Sequence, residues 1–284
     1  MRSSNPVFSR RFRDNGYAGF NAPPQAGTAA PGNPYANPYA GDPYAEPANP
    51  YAQGGLQTGY PQAPAQTRMT MDDVVSRTAI TLGLVVVAAG AAWALKLPVG
   101  LGFGAAVVAM VLGLIQSFKE RPSPALILAY AVFEGLFLGV ISKAYNTIAQ
   151  GAPMQAVLGT ICVFVGVLVA YRTRLIRVDR RFYRFVTAAA IGFVLLMVAN
   201  MLFAAFGGGH GLGFRTGGLG IVFGIIGVLL GAAFLAMDFK SIEDGVRYGA
   251  PREASWMAAF GLTMSLVWIY LELLRLVQLL TNND

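Results

Sequence analysis

The chain has 284 residues, of which 55% are hydrophobic and only 12% charged, about half the charged fraction of a soluble domain. The charges are segregated, leaving long stretches with almost none, which excludes an ordinary water-soluble domain and points to a polytopic membrane protein. A net charge of +7 raises nucleic acid as a partner, but the arginine clusters flank apolar runs. There they act as topology signals and contacts to anionic lipid, and no nucleic-acid partner is expected. The single cysteine, Cys162, lies in an apolar run and excludes an intrachain disulfide.

Residues 1–66 hold eleven of the sixteen prolines and an imperfect repeat, Asn33-Pro34-Tyr35-Ala36, Asn37-Pro38-Tyr39-Ala40, Asp42-Pro43-Tyr44-Ala45 and Asn49-Pro50-Tyr51-Ala52. No apolar run here offsets the entropy of ordering, so a disordered, polyproline-like cytoplasmic tail is expected. Arg2, Arg10, Arg11 and Arg13 are followed by no apolar stretch, so the start does not read as a signal peptide. The tyrosines read as spacer rather than as a binding motif.

From residue 67 onward a transmembrane domain is expected. Seven apolar segments, near 74–95, 98–118, 125–142, 154–171, 185–206, 216–238 and 256–280, are each long enough to cross a ~30 Å hydrocarbon layer. Backbone polar groups in lipid must be satisfied within the segment, so all seven are helices. With the N-terminus inside, the inner side carries Lys119, Arg121, Arg172, Arg174, Arg177, Arg180, Arg181, Arg184, Lys240, Arg247 and Arg252. The outer side carries only Lys96, Lys143 and Arg215. That asymmetry predicts a multi-pass protein of the cell membrane, N-terminus cytoplasmic and C-terminus outside. In the sixth segment Gly220, Gly224, Gly227 and Gly231 share one face, which predicts close approach of a neighbouring helix.

Ionisable groups within these segments are the functional candidates, because a carboxylate in lipid is costly. They are Glu134 in the third, Asp238 ending the sixth and Glu272 in the seventh, supported by Asn200 in the fifth and Arg275 three residues after Glu272. Glu272 has two readings: a local ion pair with Arg275 on one helix face, or a meeting with Asp238 across helices six and seven. Two close carboxylates would share a proton and titrate as a coupled pair, giving a pH-sensitive gate. With both ionised they would also offer a transient oxygen site for a hard cation such as calcium. Glu134, at mid-span, needs water or a partner such as Asn200. No catalytic constellation is present. The lone His210 sits in a glycine-rich loop, and there is no nucleophile elbow, phosphate loop or zinc motif, so neither an enzyme nor a cofactor is expected.

The seven spans, Glu134-Gly135-Leu136-Phe137-Leu138-Gly139 in the third, the Asp closing the sixth and Ile269-Tyr270-Leu271-Glu272 in the last together resemble the Bax inhibitor-1 family, also called YccA-like or transmembrane Bax inhibitor motif proteins. The tail and Gly249-Ala250-Pro251-Arg252-Glu253 resemble a bacterial, actinobacterial-type branch. The resemblance covers about residues 70–280. It implies a seven-helix fold with the last helix central, and a pH-dependent calcium leak gated by acids on helices six and seven. It also implies a basic latch at the inner end of helix two. On that mapping Asp238 is the first acid and Glu272 the second, where the family more often has Asp. The latch falls on Lys119 or Arg121. The expected partners are the bilayer, protons and Ca2+ as permeant ion. The alternative is a regulatory membrane protein that binds another membrane protein, such as a protease, without transport.

Overall fold

The computed structural model describes residues 68–206 and 216–281. The expected tail, the loop bearing His210 and Arg215, and the last three residues lie outside them. The described chain is all-helical: α1 (Met71–Ala94), α2 (Val99–Phe118), α3 (Pro124–Ile148), α4 (Ala152–Arg172), α5 (Arg180–Phe206), α6 (Gly217–Arg247) and α7 (Ala254–Thr281). All seven are long and apolar enough to cross a membrane.

Local chemistry sets several ends. The Thr70 hydroxyl accepts from the Asp73 amide at 3.1 Å, and Asp72 and Asp73 sit in the first turn of α1, where acids complement the helix dipole. Pro124 opens α3, where its missing N–H costs nothing. The largest departures from the sequence reading are at α3 and α6, which run to Ile148 and Arg247 rather than 142 and 238. Beyond Asp238 the chain turns polar but keeps good helix formers. Lys240 pairs with Asp244 one turn on at 2.7 Å, and the helix stops only before Gly249, whose φ of +70° suits glycine. Asp238 therefore lies inside α6 and not at its end.

The last helix is the centre. Half of the apolar window of α7 is buried (50%), against 11% for α4 and for α5. Its backbone is approached closely by α1, α3, α4 and α6, while α2 leans on α3 and α5 on α6. The two outer helices reach α7 only through side chains. Phe193 of α5 meets Trp268 with ring centroids 5.7 Å apart, and Gln116 of α2 contacts the Met257 sulfur. α3 lies tightly on α1 because Gly139 is bare: a Cβ there would stand 2.8 Å from that of Ala92. The large apolar side chains of α2 and α5, such as Phe103, Met110, Phe185 and Leu195, face outward, as lipid contact requires.

One end of the bundle is stitched together. The Met69 amide donates to the Ala250 carbonyl at 2.8 Å, Arg68 bridges to Pro251, and Met69 is buried in the same core cluster as Leu235 and Ile269. Arg252 pairs with Asp73 at 2.9 Å. Arg77 donates to the Arg252 carbonyl at 2.7 Å and to the Ser255 hydroxyl, and stacks over the Trp256 ring. The start of α1 is thus fixed to the connection between α6 and α7.

Candidate functional site

The polar residues of the bundle collect on the seams around α7. One turn above Arg77, Thr81 and Thr263 share a hydrogen bond at 3.1 Å between α1 and α7, and both are fully buried. Higher up, the hydroxyls of Ser142 on α3 and Tyr270 on α7 lie 2.6 Å apart. The Trp268 indole donates to the Gly227 carbonyl of α6 at 3.0 Å. These pairings satisfy polar groups within protein, as membrane depth demands.

The α6–α7 seam carries both principal acids, at different heights. Asp238 accepts a hydrogen bond from the Ser265 hydroxyl at 2.5 Å and lies against Gly261. Glu272 is 4% exposed and pairs with Arg275, itself 5% exposed, at 2.9 Å. Ser265 and Glu272 are seven residues apart on α7, a rise of roughly 10 Å. The expected carboxyl–carboxyl pair is therefore not formed: antiparallel packing brings Asp238 to Gly261 and Ser265, and brings Glu272 to Gly227. The two carboxylates likewise make no common calcium site, and among the described residues no group of three or more His, Cys, Asp or Glu gathers anywhere. The local pair with Arg275 is the reading of Glu272 that the geometry carries.

The glycine face of α6 accommodates this arrangement. A Cβ on Gly227 would stand 2.9 Å from the Glu272 carboxyl, and one on Gly231 would stand 2.6 Å from Ile269 Cγ1. The absent side chains make the notch in which Glu272 and Ile269 sit.

Glu134 is half-buried on α3, one turn from Tyr130 and one from Leu138. Tyr130 packs edge-on against Phe260 at 5.1 Å, and Leu138 shares a core cluster with Val267. Glu134 is therefore level with the stretch of α7 between Phe260 and Val267, the same height as Asp238, but approached from α3. Asn200 does not serve it, because α5 packs on α6 and not on α3. Lys119 and Arg121, the latch candidates, lie exposed in the turn between α2 and α3. Among the described residues neither forms an ion pair, so neither holds Asp238 or Glu272. The residues missed from sequence are Ser265, Thr81 and Thr263, Ser142 and Tyr270. For Thr263 and Ser265 the signal was the small cluster of hydroxyls in Leu262-Thr263-Met264-Ser265, inside an apolar span.

Six apolar helices around a buried seventh, with acids and hydroxyls turned onto its seams, define a multi-pass α-helical membrane protein. The chain matches the family model described as Bax inhibitor 1 like over residues 5–282, and it belongs to that family. The match extends through the tail that the motif resemblance left out. No curated protein matches it.

Proposed function

We propose that this protein is a pH-sensitive cation leak, chiefly for calcium, working at two levels of the α7 seams. The observation that carries the reading is the placement of three acids, Glu134, Asp238 and Glu272, inside spans on or beside α7, with Arg275 buried next to Glu272. Acids retained at membrane depth mark ion and proton pathways.

Glu272 and Arg275 act as the closure. While Glu272 is ionised, its carboxylate compensates the buried guanidinium and sits in the Gly227 notch, holding α7 on α6. Protonation leaves Arg275 buried beside a neutral acid. Breaking a buried pair in this way costs about 3–5 kcal/mol, so the closed seam loses stability as pH falls. Asp238 and Glu134, level with each other on two sides of α7, are the oxygen donors that an entering hard cation meets. The basic residues gathered at the end where α1 begins set that end cytoplasmic in the plasma membrane.

The test is calcium entry into dye-loaded liposomes carrying the full chain. Flux is expected to rise as pH falls. Glu272→Gln should raise flux and flatten its pH dependence, and Asp238→Asn should lower it. A double variant, Asp238→Asn with Glu272→Gln, that titrates like wild type would sink the assignment.

A further inference from the structure

A cleft of about 510 Å³ lies between the first turns of α5 and the last turns of α6, lined by Val178, Asp179, Arg180, Tyr183, Arg184, Lys240 and Asp244. Its bases outnumber its acids three to two, and both acids already have work. Asp179 accepts from the Phe182 amide at 2.7 Å, capping α5, and Asp244 pairs with Lys240 at 2.7 Å. Arg180 and Arg184 are exposed, one turn apart on one helix face, and among the described residues neither forms an ion pair. The Tyr183 hydroxyl lies 3.0 Å from that of Ser241, which fixes the ring as the wall joining α5 to α6.

We propose that this cleft binds the phosphate of one anionic phospholipid headgroup. Arg180 and Arg184 hold the phosphate oxygens through charge-assisted hydrogen bonds, and Lys240, with one N–H on Asp244, offers its remaining two. Two features favour a lipid over a soluble phosphate. The cleft lies at the end of the bundle where the apolar run of α5 begins, and two large apolar side chains beside it face outward. Leu175 is 81% and Phe185 74% exposed, one before the cleft and one a single residue past Arg184 on the lipid-facing run of α5. A headgroup in the cleft leaves its acyl chains along that surface. Lys240 lies two residues past Asp238 on α6, roughly 200° round the helix, so the cleft faces away from the α7 seam that holds Asp238, and binding there does not depend on ion conduction. It would reinforce the contact between α5 and α6, the helix on which the α5 backbone leans.

Native mass spectrometry of the full-length protein in detergent tests this with three probes: phosphatidylglycerol, phosphatidylcholine and inorganic phosphate. One phosphatidylglycerol should be retained per chain in preference to phosphatidylcholine, and millimolar phosphate should not displace it. Arg180→Gln with Arg184→Gln should weaken retention about thirtyfold, the loss of two charges at the increment one Arg supplies near an anionic surface. Arg174→Gln with Arg177→Gln removes the same charge from the preceding loop outside the cleft and should change retention less than threefold. If the first pair disturbs folding, Lys240→Gln replaces it, with a loss of about fivefold. Equal loss in both arginine pairs would mean diffuse surface attraction and overturn the site. Equal retention of the two lipids, or displacement by phosphate, would overturn the lipid assignment.

Discussion

Removing the charge of Glu272 tests a deeply buried ion pair of the bundle. Glu272 and Arg275 are 4% and 5% exposed, and their charged groups lie 2.9 Å apart. Were the pair at the surface, its loss would cost about 0–1 kcal/mol. Buried, the loss of one charge takes away the compensation that the other receives at 2.9 Å, and the cost rises to about 3–5 kcal/mol. Glu272→Gln should therefore destabilise the protein by several kcal/mol. Removing both charges, with Glu272→Leu and Arg275→Met, should restore stability to within about 1 kcal/mol of wild type or exceed it, since apolar replacement of a buried pair is often neutral or favourable. Reversible unfolding in mixed micelles, followed by tryptophan emission, reads both, because Trp268 donates to the Gly227 carbonyl beside the pair. A Glu272→Gln protein within 1 kcal/mol of wild type, or a double variant as unstable as the single, would refute the reasoning.

Other predictions follow from the same geometry. With Cys162→Ser as background, cysteines at Asp238 and Gly261 should cross-link readily on oxidation, while cysteines at Asp238 and Glu272 should not, because disulfides need Cα atoms within about 7 Å. Rapid linking of the second pair would overturn the two-level arrangement. Gly231→Ala places a methyl 2.6 Å from the buried Ile269 Cγ1 and should cost about 1–3 kcal/mol by overpacking; Ile269→Val in the same chain should recover part of it. The Thr81–Thr263 bond should show a coupling of about 0.5–1.5 kcal/mol in a Thr→Val double-mutant cycle, and none measured would mean the hydroxyls bond only to their own helices. Deleting residues 1–66 should leave calcium flux and its pH dependence intact. Loss of both would favour the regulatory reading, in which the tail carries binding.

The helices were legible because lipid removes the alternatives: an apolar run of sufficient length has to be a helix. Their ends were less so. Hydropathy falls at Lys240, yet backbone hydrogen bonding continues to Arg247, since charge ends a membrane run without ending a helix. The Glu272–Arg275 pair could be read from a spacing of three, which needs only one helix. The partner of Asp238 could not. Choosing Ser265 over Glu272 requires the register of α6 on α7, and that is set by how far both helices extend before the turn at Gly249 and by the bare face from Gly220 to Gly231. The placement of Asn200 was hidden for a similar reason: which helices become neighbours is decided by packing, and α5 came to rest on α6, away from Glu134.

The stitching at Met69 has a mechanical consequence. Residues 68–69 are bonded to 250–251, Asp73 to Arg252 and Arg77 to the start of α7, so α1, α6 and α7 are pinned together at a common base. Levers clamped at one end separate at the other. Any parting of α6 from α7 is geared to grow with distance from that clamp, and the charge pair near the far end of α7 sits where leverage is greatest and a small loss of grip has the widest effect.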